Sequence, residues 1–545
     1  MDRNTILGIL IILAIFFLSE QFIWKKAKPT KLAKPVTTQS QTPDTTAAPA
    51  QTPEAPPLTL PLIPVKDAPA IRNDLVLQND SLKVVFSNQG AVIKAVYLKK
   101  FKLANHDPVQ LIPQGKSVTN ILLNGNAGSL NLGSQPFQYE QITEGGQPGL
   151  RFFLQGDSAQ VVEKRFVLDG SYGLKLKLKV HYPSALTGYS LNFDSGINHT
   201  EAYLKAKNQD YRFYAQIDNI LQKMYLSKLL KGRTELIGKI DWAASRTKYF
   251  TIACLSKPPV LINRAVADTA NGSPAFNLMA VRDKASIDWD ESFILYFGPA
   301  QYDLLKARGS GLENIAERGS KWLRWLVDIF AWFLTLLYKL IPNYGVVIIL
   351  FSLVLKVILH PLTHKSMDSS LKMQKIQPQV SAIQQQYKND PKRLQQELSK
   401  LYKETGASPL GGCLPLLLQM PVFFALYTVL RYSLDMRQAG FFGWMKDLSE
   451  PDPYYVLPIL MGVFMIVQQL MMQPKKEQLA QMDEKQQAMQ QSQKMMTWVM
   501  PIVLFFVFKS MPAGLVLYWT VFNILSILQQ YYLQKKLNQN QEATE

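Results

Sequence analysis

A lysine lies inside an apolar run, within the sequence Ser352-Leu353-Val354-Leu355-Lys356-Val357-Ile358-Leu359. An ammonium group near the centre of a bilayer costs about 2.5–3.5 kcal/mol, so it needs water or a polar partner. Four residues share its helical face and form a mostly small or polar stripe suited to a wet cavity: Gly345, Ile349, Ser352 and His360. The alternative is a lysine that snorkels to the membrane surface, because Pro361 follows only five residues later. These residues alone leave both interpretations open.

Other polar side chains in the apolar C-terminal third favour the cavity: Gln419, Gln468, Gln469, Thr520, Asn523, Ser526 and Gln529. Hydrogen bonds between helices would explain several of them without a cavity.

Patterns typical of catalysis are absent from the sequence. His106, His181 and His199 are scattered over the middle of the chain without a catalytic pattern around them. His360 and His364 are four residues apart, but a proline separates them and no third ligand is evident. The sequence also lacks a nucleotide-binding loop. We therefore predict no enzyme activity, no metal and no cofactor, so that any work must come from substrate partitioning, a partner motor or the membrane potential.

Composition describes a membrane protein with a large soluble part. The 545 residues carry a formal net charge of +18, and 47% of them are hydrophobic. The apolar runs lie at the N-terminus and in the C-terminal third, on either side of a stretch of mixed polarity. The positive charge suits anionic lipid or RNA and does not choose between them. Cys254 and Cys413 lie in different contexts, so the fold is not expected to rest on a disulfide.

The N-terminal region predicts an anchor and a tether. Thr5 to Trp24 is long enough to cross a hydrocarbon core of about 30 Å, and no small-x-small cleavage site follows it. Residues 1–24 are therefore predicted to be an uncleaved signal-anchor helix. Residues 25–70 contain ten prolines among Thr, Ala and Gln, which predicts a linker that cannot order itself.

Residues 71–300 show β patterns. Leu174, Leu176, Leu178 and Val180 alternate with three lysines, a period of two with one apolar face. Asp169-Gly170 just before them is a hairpin signal. Short strands are also expected at 82–86 and 91–98. This region is predicted to be a β-sandwich.

Lys321 to Ile341, within a segment 320–341, predicts an amphipathic helix lying in the membrane interface. Its polar residues share one helical face: Lys321, Arg324, Asp328, Thr335 and Lys339. Trp322, Trp325, Ile329, Trp332 and Leu336 lie on the other side. The alternative is a helix that crosses the membrane.

Five further spans are predicted within residues 342–536, at 343–361, 412–432, 454–472, 495–510 and 513–533. The loop 363–409 holds eight basic residues against four acids, and the loop 433–453 holds two against four. Basic loops face the cytoplasm. Six spans then leave both termini in the cytoplasm and the β domain in the periplasm. Lys25, Lys26 and Lys28 disagree, since they would lie outside, and they would fit if Lys321 to Ile341 crossed the membrane.

The basic loop, within residues 363–410, predicts an antiparallel helical hairpin in the cytoplasm. One apolar stripe recurs at intervals of three and four: Met373, Ile376, Val380, Ile383 and Tyr387. A second stripe follows the turn Asn389-Asp390-Pro391, at Leu394, Leu398 and Leu401. Pro378 either starts or kinks the first of these helices.

Four segments closely resemble the YidC/Oxa/Alb membrane-insertase family: SPLGGCLPLLLQMPVFFALY at 408–427, DPYYVLPILMG at 452–462, PAGLVLYW at 512–519 and HPLT at 360–363. The match covers about residues 320–536, and the N-terminal part resembles the long Gram-negative form more loosely. The resemblance implies a polytopic α-helical membrane protein with six spans, a five-helix insertase core and a large periplasmic β-sandwich domain.

The resemblance also implies a hydrophilic groove, open to the cytoplasm and to lipid, in which a positive residue receives the polar segment of an incoming protein. Lys356 stands at that position, where many members carry arginine, and lysine lacks the bidentate fork of arginine. Ser352 matches a small hydroxyl position. Tyr518 and Trp519 match an aromatic pair along which a nascent helix slides. We also assign Gln419 to the predicted groove.

The partners expected from the resemblance are nascent membrane proteins, Sec translocon subunits, membrane lipids and, transiently, the ribosome. The tail, residues 537–545 after Lys535-Lys536, is short. It is therefore not expected to bind ribosomes as long basic tails do. Two other functions remain possible from the residues: a secondary transporter that uses Lys356, and a sugar-binding or sugar-isomerising β domain. Paired repeats, which transporters usually show, are not visible, and no His/Glu constellation supports sugar chemistry.

Overall fold

The computed structural model describes residues 60, 63, 69–126, 128–156, 160–258, 262–407, 414–471 and 497–542. The predicted signal anchor, most of the predicted linker, the loop 473–494 and the last three residues lie outside the described residues. The chain divides into two compact units, one ending at Ala316 and the other beginning at Glu317.

The first unit consists of antiparallel β-structure. A four-stranded sheet has the order β1-β2-β3-β4, and a thirteen-stranded sheet contains the remaining described strands. The strands are β1 (Leu75–Gln78), β2 (Leu82–Ser87), β3 (Val92–Lys102), β4 (Pro108–Gln110), β5 (Asn120–Gly125), β6 (Gly128–Asn131), β7 (Gln138–Glu144), β8 (Gln147–Gln155), β9 (Val161–Asp169), β10 (Gly173–Phe193), β11 (Arg212–Ile217), β12 (Ile220–Tyr225), β13 (Thr234–Ile237), β14 (Ile240–Arg246), β15 (Phe250–Lys257), β16 (Arg264–Ala270) and β17 (Ser273–Pro299). One-turn helices lie at Lys207–Asp210, Leu226–Leu229 and Tyr302–Lys306.

The predicted alternation and hairpin are confirmed in β9 and β10. The two strands pair from Asp169 with Gly173 to Val161 with His181, and Gly170 in their turn has a φ of 65°, which glycine adopts readily. The four apolar residues of the alternating stretch in β10 are buried, whereas its lysines point to solvent. A period of two therefore does separate a core face from a wet face here.

The sandwich is formed by long strands that bend. β10 and β17 pair along most of their length, with register breaks between His181 and Leu186 and between Leu186 and Gly188. The bend brings Tyr189 of β10 against Trp289 of β17, with ring centroids 5.3 Å apart. Cys254 is buried in this unit as a free thiol, and Cys413 lies outside the described residues.

The predicted linker is not free throughout. Leu60 and Ile63 are buried, and the Leu60 amide donates to the Ser129 carbonyl of β6 at 3.1 Å. At Leu60 the chain pairs with the edge strand β6, so the β domain holds the linker at this point. Over the rest of residues 25–70 the linker stays a prediction.

The second unit is helical. Its described helices are α1 (Arg324–Leu340), α2 (Tyr344–Gln386), α3 (Pro391–Thr405), α4 (Leu414–Tyr432), α5 (Val456–Met471), α6 (Thr497–Phe508) and α7 (Ala513–Glu542). Among the described residues, two segments are long and apolar enough to cross a membrane, Tyr344–Ser369 and Ala513–Lys535. Two shorter apolar helices are α5 and α6.

The helix that contains the second predicted span continues beyond Pro361. α2 is a single helix of 43 residues that contains both Pro361 and Pro378, so Pro378 does not start a helix. A proline removes one backbone donor but need not end a helix whose flanking turns are held by packing. Here Thr363 donates its hydroxyl to the Leu359 and His360 carbonyls, each at 3.1 Å.

α1 has three faces rather than two. Leu323, Val327, Phe330 and Leu334 pack into the core of the unit. The tryptophan face is exposed, with Trp322, Trp325 and Trp332 each more than 60% accessible. A free apolar face beside a polar one is typical of a helix that contacts lipid.

Candidate functional site

The intramembrane lysine points into the helical unit. Lys356 is 7% exposed, and its Nζ donates to Ser526 Oγ of α7 at 2.8 Å. The ammonium also lies 4.5 Å from the centroid of the Phe522 ring, a cation–π distance. The Ser526 hydroxyl donates a hydrogen bond to the Phe522 carbonyl at 2.8 Å, so its lone pairs are left to accept from the lysine. The geometry therefore favours the interior position over snorkelling.

Around this contact α7 presents a polar stripe. Asn523, Ser526 and Gln530 are spaced by three and four residues, so they share one helical face, and each is less than 10% exposed. Gln529, on the neighbouring face, donates to Thr363 Oγ1 of α2 at 3.3 Å. α2 and α7 are thus joined by two polar contacts, one at Lys356 and one two turns further along α2.

The other predicted groove residues take different positions. Gln419 Nε2 donates to the Tyr518 hydroxyl at 3.4 Å, and Tyr518 is fully buried against Phe351 and Phe522. Ser352 is also buried, and its hydroxyl bonds back to the Ile348 carbonyl of its own helix at 2.7 Å. It therefore offers no donor to the site.

Trp519 lies apart from Tyr518. Its ring packs edge-on against Phe423, with centroids 5.4 Å apart, and lies 5.2 Å from Phe508. Neighbouring residues on a helix point about 100° apart, so the two aromatic residues face different elements. The structure therefore does not place Tyr518 and Trp519 on one common surface of α7.

The end of the unit at which α2 and α7 begin is closed by the loop between α4 and α5. The Phe441 ring lies directly against Gly345, leaving no space for a side chain there. Two backbone bonds attach the same loop to α7, from Ala513 to the Glu450 carbonyl at 2.7 Å and from Gly514 to the Leu448 carbonyl at 2.9 Å. The loop thus packs on the ends of α2 and α7 at which these helices begin.

The predicted hairpin is formed by α3 and the second half of α2. Ile376 and Val380 are buried with Ala407, and Met373, Leu398 and Leu401 pack against them. Leu394 and Leu398 line a cavity of about 500 Å³ on α3. Ile383 and Tyr387 lie outside this cluster, and the Tyr387 ring contacts Arg393. Asp390 caps α3 by accepting from the Arg393 amide at 3.1 Å, as the turn sequence leads one to expect.

The two histidines of α2 lie close together, without a third ligand group among the described residues. The rings of His360 and His364 lie 5.7 Å apart on an exposed face. Across the described part of the chain, no group of three or more His, Cys, Asp or Glu side chains is placed to hold a metal ion.

Sequence reasoning named Ser526 only as one polar residue among several, and it missed Phe522 and Gln530. The spacing of Asn523, Ser526 and Gln530 was visible in the sequence as a helical stripe. The contact of Phe522 with the ammonium carries no sequence signal, because phenylalanine is common in membrane helices.

Two family models match the chain. The model of the 60Kd inner membrane protein matches residues 336–541, and the model of the YidC periplasmic domain matches residues 74–333. A membrane protein insertase YidC from Pelodictyon phaeoclathratiforme is 31% identical over 581 residues, which cover 98% of this chain and 95% of that protein. The chain belongs to the YidC family of membrane protein insertases.

A YidC from Syntrophus aciditrophicus is 29% identical over 567 residues, covering 98% of this chain and all of that protein. A solved structure of an active YidC insertase is similar at a TM-score of 0.36 and 20% identity, covering 85% of this chain and 95% of that one. The YidC matches on both units identify an inner-membrane protein with a periplasmic β domain and a helical insertase region. They also agree with the prediction of an insertase rather than an enzyme.

Proposed function

We propose that this chain inserts and folds nascent membrane proteins by offering their polar segments a cationic site inside its helical unit, centred on Lys356. The observation that carries the proposal is the inward position of the ammonium, bound to Ser526 and nearly shielded from solvent. Among the described residues no carboxylate pairs with it, and such an ammonium attracts an acidic side chain strongly.

The chemistry needs no nucleotide. Each apolar residue that moves from the site into lipid yields about 0.3–0.6 kcal/mol, so a 20-residue helix releases several kcal/mol. A polar site partway into the bilayer lowers the cost of starting a hydrophilic segment across it. Lys356 would hold the acidic residue while the apolar helix partitions into lipid.

The proposed groove is expected to be accessible from one side of the membrane. The loop that packs on Gly345 and on the start of α7 supports a groove that opens toward the other end. In our topology the end covered by the loop is periplasmic and the other end is cytoplasmic. A substrate would thus enter from the side on which it is made.

The proposed topology has six spans, with both termini in the cytoplasm and α1 lying in the interface. Its support is the charge of the loops and the exposed tryptophan face of α1. The signal anchor 1–24 and the five helices of residues 342–536 would be the spans. The β domain 71–300 would follow the tether in the periplasm.

The hairpin 363–410 is proposed to receive substrates before they reach the groove. Its eight basic residues and the apolar cavity on α3 suit a flexible, amphipathic nascent chain and a transient contact with the ribosome. Sec translocon subunits and membrane lipids are the further proposed partners, and the tail 537–545 is not proposed to bind ribosomes.

The family assignment supports insertion over the secondary transporter that an intramembrane lysine also allows. In the transporter case, substrate-dependent proton flux in liposomes would be seen and would fall on substitution of Lys356. The insertase function predicts protein insertion into sealed liposomes without such flux.

The test is insertion of a small protein into liposomes, followed by protease protection of its outer segment. Lys356→Ala should lower the insertion of a substrate with an acidic outer segment by about tenfold, equivalent to about 1.4 kcal/mol. Lys356→Arg should retain insertion, because the positive charge remains. Lys175→Ala removes an exposed lysine of the β unit, outside the proposed site, and is the control.

Equal loss in the alanine and arginine variants would contradict the charge model. So would an equal loss for substrates whose outer segment is neutral. Photocrosslinking from position 356 to stalled nascent chains would establish the contact directly.

A further inference from the structure

The polar stripe of α7 has more hydrogen-bonding capacity than the described residues use. Asn523 and Gln530 lie one turn on either side of Ser526, the partner of Lys356, and both are more than nine-tenths buried. The Asn523 Nδ2 donor and the Gln530 Oε1 acceptor have no hydrogen-bond partner among the described residues. Buried amide atoms are normally paired, because an unpaired one keeps the full cost of its lost hydration.

Nearby polar residues on the same helix are satisfied differently. Thr520 is equally buried, but its hydroxyl bonds to the Val516 carbonyl of α7 at 2.7 Å. Gln534 donates to the Met471 carbonyl at the end of α5 at 2.8 Å. On α7 the unpaired buried atoms thus lie in one stretch, from Asn523 to Gln530, which also includes Gln529 Oε1. Burial of polar residues along α7 does not by itself leave atoms unpaired.

We propose that Asn523 and Gln530 bind the main chain of the inserting polypeptide on either side of the side chain that meets Lys356. This rests on the proposed function and names how its site recognises a substrate. A carboxamide carries the same donor and acceptor as a peptide group. The free donor of Asn523 matches a peptide carbonyl, and the free acceptor of Gln530 matches a peptide N–H.

The spacing fits an extended segment. Seven residues of α-helix separate Asn523 from Gln530, which is about 10.5 Å along the axis. An extended chain covers that distance in about three residues at roughly 3.3 Å each. One substrate side chain would then lie opposite Lys356, with main-chain contacts before and after it. Main-chain contacts are independent of sequence, so they suit a site that serves many clients, whereas Lys356 adds a preference for acidic residues.

The variants that test this proposal keep the approximate shape of each side chain and remove its hydrogen-bonding groups. Asn523→Leu and Gln530→Met are close in volume to the native residues, and Thr520→Val is the matched control, since it removes a hydroxyl that bonds within its own helix. The full-length protein is reconstituted in liposomes. Its substrates are two small membrane proteins that differ only in whether the outer segment carries an acidic residue or a glutamine.

The N523L/Q530M double variant is expected to insert both substrates about tenfold less well, while the ratio of acidic to neutral insertion stays at the wild-type value. Lys356→Ala should do the reverse and reduce that ratio to about one. If Lys356→Ala leaves the ratio unchanged, the charge site itself is refuted, whatever the double variant shows.

A synthetic substrate tests the main-chain contact directly. Replacement of one peptide bond of the outer segment by an ester removes an N–H without changing any side chain. The ester should reduce insertion several-fold in the wild type and in Thr520→Val, and have no further effect in Gln530→Met. Equal ester effects in wild type and Gln530→Met would overturn the proposal. The proposal would also be overturned if the double variant inserted both substrates at the wild-type rate and was more stable to heat. The unpaired atoms would then bind water and not a substrate.

Discussion

The two units each bury a lysine, and the two lysines are held in opposite ways. Lys164 of β9 is fully buried, and its Nζ donates to three carbonyls, of Gly90 at 2.7 Å, Ala91 at 3.2 Å and Thr119 at 2.9 Å. Lys356 of α2 donates to a single hydroxyl within the described residues. An ammonium has three N–H groups, so Lys164 is saturated and Lys356 has donors to spare.

The difference teaches that burial of a cation does not by itself indicate a functional site. Lys164 holds a part of the fold that is otherwise unfavourable, because Ala91 and Thr119 have φ values of 47° and 70° that non-glycine residues seldom adopt. Their carbonyls converge on the ammonium. Lys356 supports no comparable set of backbone groups, and its unused hydrogen-bonding capacity is what a substrate needs.

The largest effect expected from this comparison is on the stability of the β unit. Lys164→Met should lower its free energy of unfolding by about 3–5 kcal/mol, because three buried carbonyls lose their donor. Hydrogen exchange of peptides from β2 and β3 in the full-length protein would measure the loss. Lys175→Met, on the exposed face of the same hairpin, is the control. A loss below about 1 kcal/mol would refute the structural role assigned to Lys164.

Lys356→Met is expected to act in the opposite sense. The free energy of unfolding of the helical unit should rise by about 1 kcal/mol, because a flexible apolar chain replaces a cation that has a single hydrogen-bond partner among the described residues. Thermal unfolding in detergent micelles, followed by protease resistance of α2 and α7, would show it. Destabilisation as large as that of Lys164→Met would mean that both lysines are structural and would remove the contrast.

A further effect is a pH dependence that is confined to the β unit. Burial lowers the pKa of Lys164 to about 7 from an ordinary value of 10.5. Between these values the unfolded chain binds more protons than the folded one, so the stability contribution of Lys164 should rise with pH, by less than about 1.4 kcal/mol per unit. The difference in unfolding free energy between wild type and Lys164→Met, measured from pH 7 to 9, should therefore grow. A flat difference would show that the three carbonyls keep the lysine charged throughout.

Periodicity and turn signals in the sequence were sufficient to predict several elements of both units. The alternation in β10, the hairpin at Asp169-Gly170 and the turn before α3 at Asn389-Asp390-Pro391 all depend on residues close in the chain, and the structure has each of them. Even the inward position of Lys164 follows the period of two set by Val162 and Phe166 in β9. Sequence patterns are sufficient to predict a structural feature wherever residues close in the chain determine it.

The sequence by itself therefore determined which faces are apolar, where charge enters an apolar run, and which family the motifs resemble. Only the tertiary structure decided what each buried lysine meets. Ser526 is 170 residues from Lys356, and the carbonyl of Gly90 is 74 residues from Lys164. It also decided that α2 passes through two prolines, because packing on neighbouring helices outweighs a local preference to stop. Contacts between residues so far apart in the chain depend on how helices and strands pack together. The periodicity of residue types along the sequence does not encode that packing.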